Sequence, residues 1–229
     1  MKLSLDTQKI LSNFASINPG MLFEEGNVQH TISPLNTIVC QTTLTESFPQ
    51  NFAIYDLESF LKFYKSIDDA ELEFHKEYVI IKNKVGEELI YYFAEPEMIV
   101  APKKKPYDHP ESTVRFFVET KTFQKIRSLS TYSSFFKYLK IWSKNKKIVL
   151  SLTNKESKDR AINQYNVEVG DLEEGINSFE FYIQMNMLNV LEGNYECVIS
   201  KIKRNDSEIN IFRLVNTTYN LKYWTSLEV

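Results

Sequence analysis

One order of elements occurs twice along this chain, and that repetition constrains the fold more than any single motif. In the first half, residues 2–5 read as a short strand, after which Asp6 is placed to cap a helix ending near Ile17. Ile10, Leu11, Phe14 and Ile17 keep helical spacing on one side, and Asn18-Pro19-Gly20 stops the run. Strand patterns follow over 21–24, 28–32, 37–43 and 52–55. Asp56 then caps a second helix that turns Leu57, Phe60, Leu61, Tyr64 and Ile67 to one face. Three more strands, over 71–75, 78–82 and 88–93, close the half.

The second half repeats this grammar. A strand over 113–118 leads to a helix over 120–132 with Phe123, Ile126 and Leu129 inward. Strands over 135–142, 147–152, 161–169 and 179–183 come next, then a short helix over 186–191 ended by Gly193. Strands over 195–200, 208–214 and 219–225 complete the parallel. Between the halves, Pro96, Pro102, Pro106 and Pro110 deny regular ladder pairing and mark an extended connector. The expected organisation is a domain over 1–95, a connector over 96–110 and a domain over 111–229, each β-rich with two helices, in the α+β class.

A chain of 229 residues with 43% apolar content can fill two such cores. Aromatics make up 14% and glycines number only 6, which favours packed sheets over a loop-rich catalytic scaffold. The formal net charge is −3 and the isoelectric point about 5.8. Three of the four expected helices nevertheless turn cations away from their apolar faces: Lys9, then Lys62 and Lys65, then Lys121, Lys125 and Arg127. Proteins that coat nucleic acid draw affinity from counterion release and are usually basic throughout, whereas positive charge here is confined to helix faces. No apolar run reaches the roughly 18 to 20 residues that span a bilayer, and the first residues lack a signal-peptide core, so the chain reads as soluble and intracellular.

Nothing in the sequence makes a strong case for catalysis. His30, His75 and His109 are mutually remote, and there is no glycine-rich phosphate loop, nucleophile elbow or Cys/His motif. Cys40 and Cys197 lie far apart in strand-like runs and read as buried thiols. The acid pairs Glu24-Glu25, Asp68-Asp69, Glu87-Glu88 and Glu173-Glu174 sit beside expected turns, where solvated charge is the ordinary outcome, and Lys144-Asn145-Lys146-Lys147 reads as a charged hairpin tip.

Several short motifs, in their order and spacing, carry a resemblance. They are Met1-Lys2-Leu3-Ser4 with Asp6-Thr7, Asn13-Phe14-Ala15 with Ile17-Asn18, Ala53-Ile54-Tyr55-Asp56-Leu57 with Phe60-Leu61, Val100-Ala101-Pro102, and Gly193-Asn194-Tyr195. With them the chain resembles the sliding clamps of T4-type bacteriophages from its first residue to about Tyr195. The resemblance implies a homotrimeric ring of two-domain subunits around double-stranded DNA, with helices lining the hole and sheets outside. It implies a DNA polymerase tethered for processive synthesis, an ATP-driven clamp loader, late-transcription factors as further partners, no cofactor and no enzymatic activity. The cytoplasm of an infected bacterial host is the implied location.

On that resemblance, Lys9, Lys62, Lys65, Lys121, Lys125 and Arg127 face phosphates, with Gln124 and Ser128 as polar neighbours. Edge strands over 88–94 and 161–168 join subunits, with Tyr91, Tyr92 and Tyr165 as contacts. Met98, Ile99 and Val100 of the connector, with Tyr223, Trp224 and Leu227, form an apolar pocket for partner peptides. A polymerase tether that does not encircle DNA, and a β-rich virion or scaffold protein, are the competing readings; a carboxylate hydrolase stands behind both.

Overall fold

The structure is a computed structural model, and it describes residues 1–103, 112–155, 163–204 and 207–229. The chain divides into two units, Met1–Pro106 and Tyr107–Val229. Among the described residues there are three α-helices and fifteen strands, and the strand ladders within each unit are antiparallel.

The first unit runs α1 (Leu5–Ile17), β1 (Met21–Phe23), β2 (Gly26–Ile32), β3 (Ile38–Phe48), β4 (Phe52–Ile54), α2 (Leu57–Ser66), β5 (Glu71–Phe74), β6 (Tyr78–Lys82) and β7 (Glu88–Tyr92). The expected strand over 2–5 is absent. Met1 instead exchanges two backbone hydrogen bonds with Leu72 of β5, both 2.7 Å, and the chain enters α1 at once. The cap is Ser4 rather than Asp6: the Ser4 hydroxyl accepts the Thr7 amide at 3.2 Å. Asp6 lies in the first turn, where its charge meets the positive end of the helix dipole. Asp56 caps α2 as expected, accepting from the Ser59 amide at 2.9 Å.

Burial explains both helices. Ile10, Leu11, Phe14 and Ile17 of α1 and Leu57, Phe60, Leu61 and Tyr64 of α2 are all buried. Each large apolar side chain so removed from water contributes about 1.5 to 3 kcal/mol before entropy is counted. Phe23 stacks on Phe52 at 4.5 Å, and Phe48, Phe74 and Phe93 close around that pair. β5, β6 and β7 form a meander that ends at β7. After it, a 3-10 turn, Pro96–Met98, folds the start of the connector onto its own unit, where Asn18 Nδ2 donates to the Val100 carbonyl at 2.8 Å.

The second unit runs β8 (Ser112–Val118), α3 (Thr120–Tyr132), β9 (Tyr138–Lys144), β10 (Lys147–Thr153), β11 (Tyr165–Asp171), β12 (Glu180–Gln184), β13 (Tyr195–Arg204), β14 (Ser207–Asn216) and β15 (Leu221–Leu227). One sheet has the order β11-β10-β9-β12, and β8, β13, β14 and β15 pair in sequence in the other. Two expectations fail. β9 starts at Tyr138, since residues 133–136 turn, with the Phe136 amide on the Ser133 carbonyl at 3.2 Å. The expected helix over 186–191 is only a 3-10 turn, Met185–Met187, so the described residues of this unit hold one α-helix instead of two.

The backbone around that turn is held by side chains, which removes the helix's own bonding pattern. Arg127 Nη1 donates to the Val190 carbonyl at 2.9 Å, the Leu191 amide donates to the Tyr223 hydroxyl at 2.8 Å, and the Tyr195 hydroxyl donates to the Leu191 carbonyl. Each unit still follows helix, four strands, a second helix or helical turn, three strands. The pairing of β8 with β13 has its counterpart in the Met1–Leu72 bonds onto β5.

Candidate functional site

All six cations singled out in the sequence lie on exposed helix surface. In the first unit α1 and α2 pack side by side, and a groove of about 390 Å³ between them is lined by Ser12, Ser16, Leu61, Lys62 and Lys65, among others. Lys65 Nζ reaches the Ser12 hydroxyl at 3.4 Å, which ties the two helices on this face. Lys9 stands 3.5 Å from Asp6 and Lys62 2.6 Å from Glu58, so both lysines share the surface with an acid of their own helix. The hydrogen bond and charge of Glu58 hold the Lys62 ammonium above its usual pKa. The Ser59 hydroxyl and amide hold Asp56 below the usual carboxylate range.

In the second unit, α3 exposes Lys121, Gln124, Lys125, Arg127 and Ser128 and contains no acidic residue. Its inward face buries Phe123 and Ile126, with Leu129 half-buried. Lys125 Nζ lies 5.9 Å from the Tyr165 ring, and Arg127 is committed to the Val190 carbonyl. A groove of about 500 Å³ runs along Gln124, Arg127, Ser128 and Thr131 to Glu192 and Gly193. α3 has no cap from its own first residues: Asn194 Oδ1 accepts both the amide and the hydroxyl of Thr120, each at 2.8 Å. Neither Gly193-Asn194-Tyr195 nor its distance along the chain signals that role, because the capped helix begins 74 residues earlier.

β7 and β11 are each the terminal strand of their sheets, as the resemblance implies for the joining strands. Of β11's expected span, residues 161 and 162 lie outside the described residues. Tyr91 turns toward its own α2, packing edge-on against Phe60 at 5.3 Å, and Tyr165 lies by Lys125 of α3. Tyr92 is 69% exposed on the other face of β7, with Ile90, 48% exposed, beside it. Ile90 was missed in the sequence, although the alternation Glu88, Ile90, Tyr92 contains it.

Three of the six residues grouped as a peptide pocket line a groove of the first unit. Met98, Ile99 and Val100 line a groove of about 310 Å³ with Pro19, Pro34 and Tyr55. Met98 and Tyr55 are each 62% exposed, and Leu35, next to Pro34 in the chain, is 84% exposed. Ile99 is buried, its Cδ1 2.9 Å from where a Cβ on Gly20 would stand, so glycine makes room for it. Tyr223, Trp224 and Leu227 are buried residues of β15 and do not line that groove, because β15 is covered on both faces along most of its length. Tyr55 and Leu35 were not read as functional, and only their exposure marks them.

The remaining motifs are structural. His30 is buried 3.8 Å from Glu24, and His75 stacks on Tyr78 and bonds Glu73 at 3.0 Å; His109 lies outside the described residues. Cys40 and Cys197 are fully buried, and desolvation pushes both thiols up. Asn145 and Lys146 form the β9–β10 turn with positive φ of 51° and 61°. Among the described residues no group of three or more His, Cys, Asp or Glu could hold a metal ion, and no helix is long and apolar enough to cross a membrane.

A family model described as DNA polymerase processivity factor matches residues 4–101. The sliding clamp of Escherichia phage RB69 is 30% identical over 201 residues, covering 87% of this chain and 87% of that protein. The sliding clamp of Vibrio phage KVP40 is 27% identical over 202 residues, covering 87% and 90%. Among solved structures, an A. fulgidus PCNA with the C-terminal region of FEN-1 bound superposes with a TM-score of 0.63 at 12% identity, covering 97% of this chain and 94% of that one. At that identity the likeness shows the fold alone.

Proposed function

The chain belongs to the sliding clamps of T4-type bacteriophages, and from that membership we propose that it closes into a ring of three copies around duplex DNA and tethers the phage DNA polymerase. Its action is mechanical, with no reaction of its own. α1, α2 and α3 face the DNA through Lys9, Lys62, Lys65, Lys121, Lys125 and Arg127, with Gln124 and Ser128 between them. The observation that carries this reading is the arrangement of these helices: each buries one apolar face and exposes lysine or arginine on the other side, with Asp6 and Glu58 beside the lysines of α1 and α2, on an acidic protein.

Dense phosphate contacts would make a clamp stick. A sparse set of flexible lysines gives weak attraction that is indifferent to sequence and need not break as a unit during sliding. Retention then comes from topology. β7 of one copy lies along β11 of the next, covering two edges that would otherwise template aggregation, with Tyr92 and Ile90 against the neighbour. Within the chain, domains over 1–95 and 111–229 are joined by the connector over 96–110.

The groove at Pro34, Tyr55, Met98 and Val100 receives an apolar anchor from a partner's short peptide, the polymerase first among them. Its exposed apolar rim supports this, as does the bound FEN-1 C-terminal region in a protein of the same fold. A loader that spends ATP places the ring on DNA in the host cytoplasm, and late-transcription factors share the groove.

Mass in solution tests the assembly. The expected result is a species of about 81 kDa, three times the 26.9 kDa of one chain, that dissociates on dilution. A monomer at all concentrations would leave a non-encircling tether in its place.

A further inference from the structure

The cations of the three helix faces differ in what already neutralises them. In α2, Lys62 is held by Glu58 one turn earlier, 2.6 Å away, in the order that best suits a helical acid–lysine pair. In α3 there are three cations and no acid, the nearest in the chain being Glu119 at the N-cap, and Lys121 is exposed, with no ion pair to an acid among the described residues. A phosphate that approaches Lys62 must displace a carboxylate tethered to the same helix, and the displaced Glu58 then repels the phosphate. No mobile counterion leaves, so the pair adds little to the salt-dependent attraction that counterion release drives. Lys121 has no such competitor.

We infer that Glu58 acts as a built-in competitor for DNA phosphate at Lys62, so that Lys62 attracts DNA weakly and Lys121 of α3 supplies the stronger electrostatic contact. The exposed cations of the two units thus contribute unequally, residue by residue. The pair also supports α2 as any such pair does, but that local role would leave DNA binding unchanged when the acid is removed. The inference rests on the DNA-encircling reading, and its test separates the two.

The experiment measures binding of the full chain to a linear duplex at a series of salt concentrations. One duplex has free ends, onto which a ring can thread, and a second has both ends blocked by bound streptavidin. Wild type is expected to bind the free-ended duplex, entering and leaving over its ends, and not the blocked one; equal binding to both would overturn the encircling reading and this inference with it.

On the free-ended duplex, Lys121→Gln is expected to flatten the slope of log affinity against log salt by about 0.9 for each copy in the ring whose Lys121 meets a phosphate, up to about 2.7 for all three. Lys62→Gln should change it by less than half as much. Glu58→Gln, which removes the competing charge, should steepen the slope and tighten binding, and Lys62→Gln added to it should cancel that gain. An unchanged slope in Glu58→Gln, or a loss in Lys62→Gln as large as in Lys121→Gln, overturns the inference while leaving the ring intact. Thermal midpoints of all variants, expected near that of wild type, confirm that each is folded.

Discussion

Asn194 does for α3 what Ser4 and Asp56 do for their own helices, but from a distant part of the chain. Asn194→Ala should therefore uncap α3 and cost about 1 kcal/mol in a denaturant titration. Gly193, beside it, is glycine for a steric reason: a Cβ there would stand 2.4 Å from Asn216 Nδ2, and that amide is itself engaged, its oxygen accepting from Thr218 and Tyr219. Gly193→Ala is expected to destabilise by about 1 to 3 kcal/mol, the range for overpacking. Glu46 is a second distant cap. Burial works to raise its carboxyl pKa, but hydrogen bonds from the Thr7 hydroxyl and Ser4 amide outweigh that, and the net position is below the usual 4.5. The stability it lends is complete above the unfolded-state value and disappears as pH falls through the lower folded value. Urea midpoints from neutral to acid pH should thus fall less steeply in Glu46→Gln than in wild type. None of these three roles was legible in the sequence, since a cap read along the chain can be found only when it adjoins its helix.

At the scale of elements, periodicity carried most of the information. The α2 face Leu57, Phe60, Leu61 and Tyr64 and its cap Asp56 were legible because helical spacing, an N-cap and a preceding buried strand agree. The segment after β12 misled because a few apolar residues fit one helical turn as well as a packed loop, and the bonds from Arg127, Tyr195 and Tyr223 that settle the matter are long-range. The helix-face cations were legible from the same spacing that gave the core. The Glu58–Lys62 pair was available to the same count, at i and i+4. Of the residues grouped as a partner-peptide pocket, the connector residues line a groove, while Tyr223, Trp224 and Leu227 have an apolar character that serves the core. For the edge strands, alternation gives the face and not the partner. Ile90→Lys should keep the circular dichroism of wild type yet shift the assembled species toward 26.9 kDa. Persistence of the assembly would place the joining edge elsewhere.

For the whole molecule, the twice-used order of elements was the strongest guide, and the structure repeats it in each unit despite the lost helix. On the proposed ring, an acidic chain with a cationic helix surface has a physical rationale: repulsion elsewhere would discourage nonspecific coating of DNA, while a few lysines would keep an encircled duplex centred. Ring closure cannot be read from one chain, because it depends on surfaces that meet only between copies. The most direct measurement is the residence time of the protein on a nicked circular duplex before and after a single linearising cut. The expected result is long retention on the circle and rapid loss after the cut, prevented when the new ends are blocked. Retention unaltered by the cut, with ends left free, would contradict the ring.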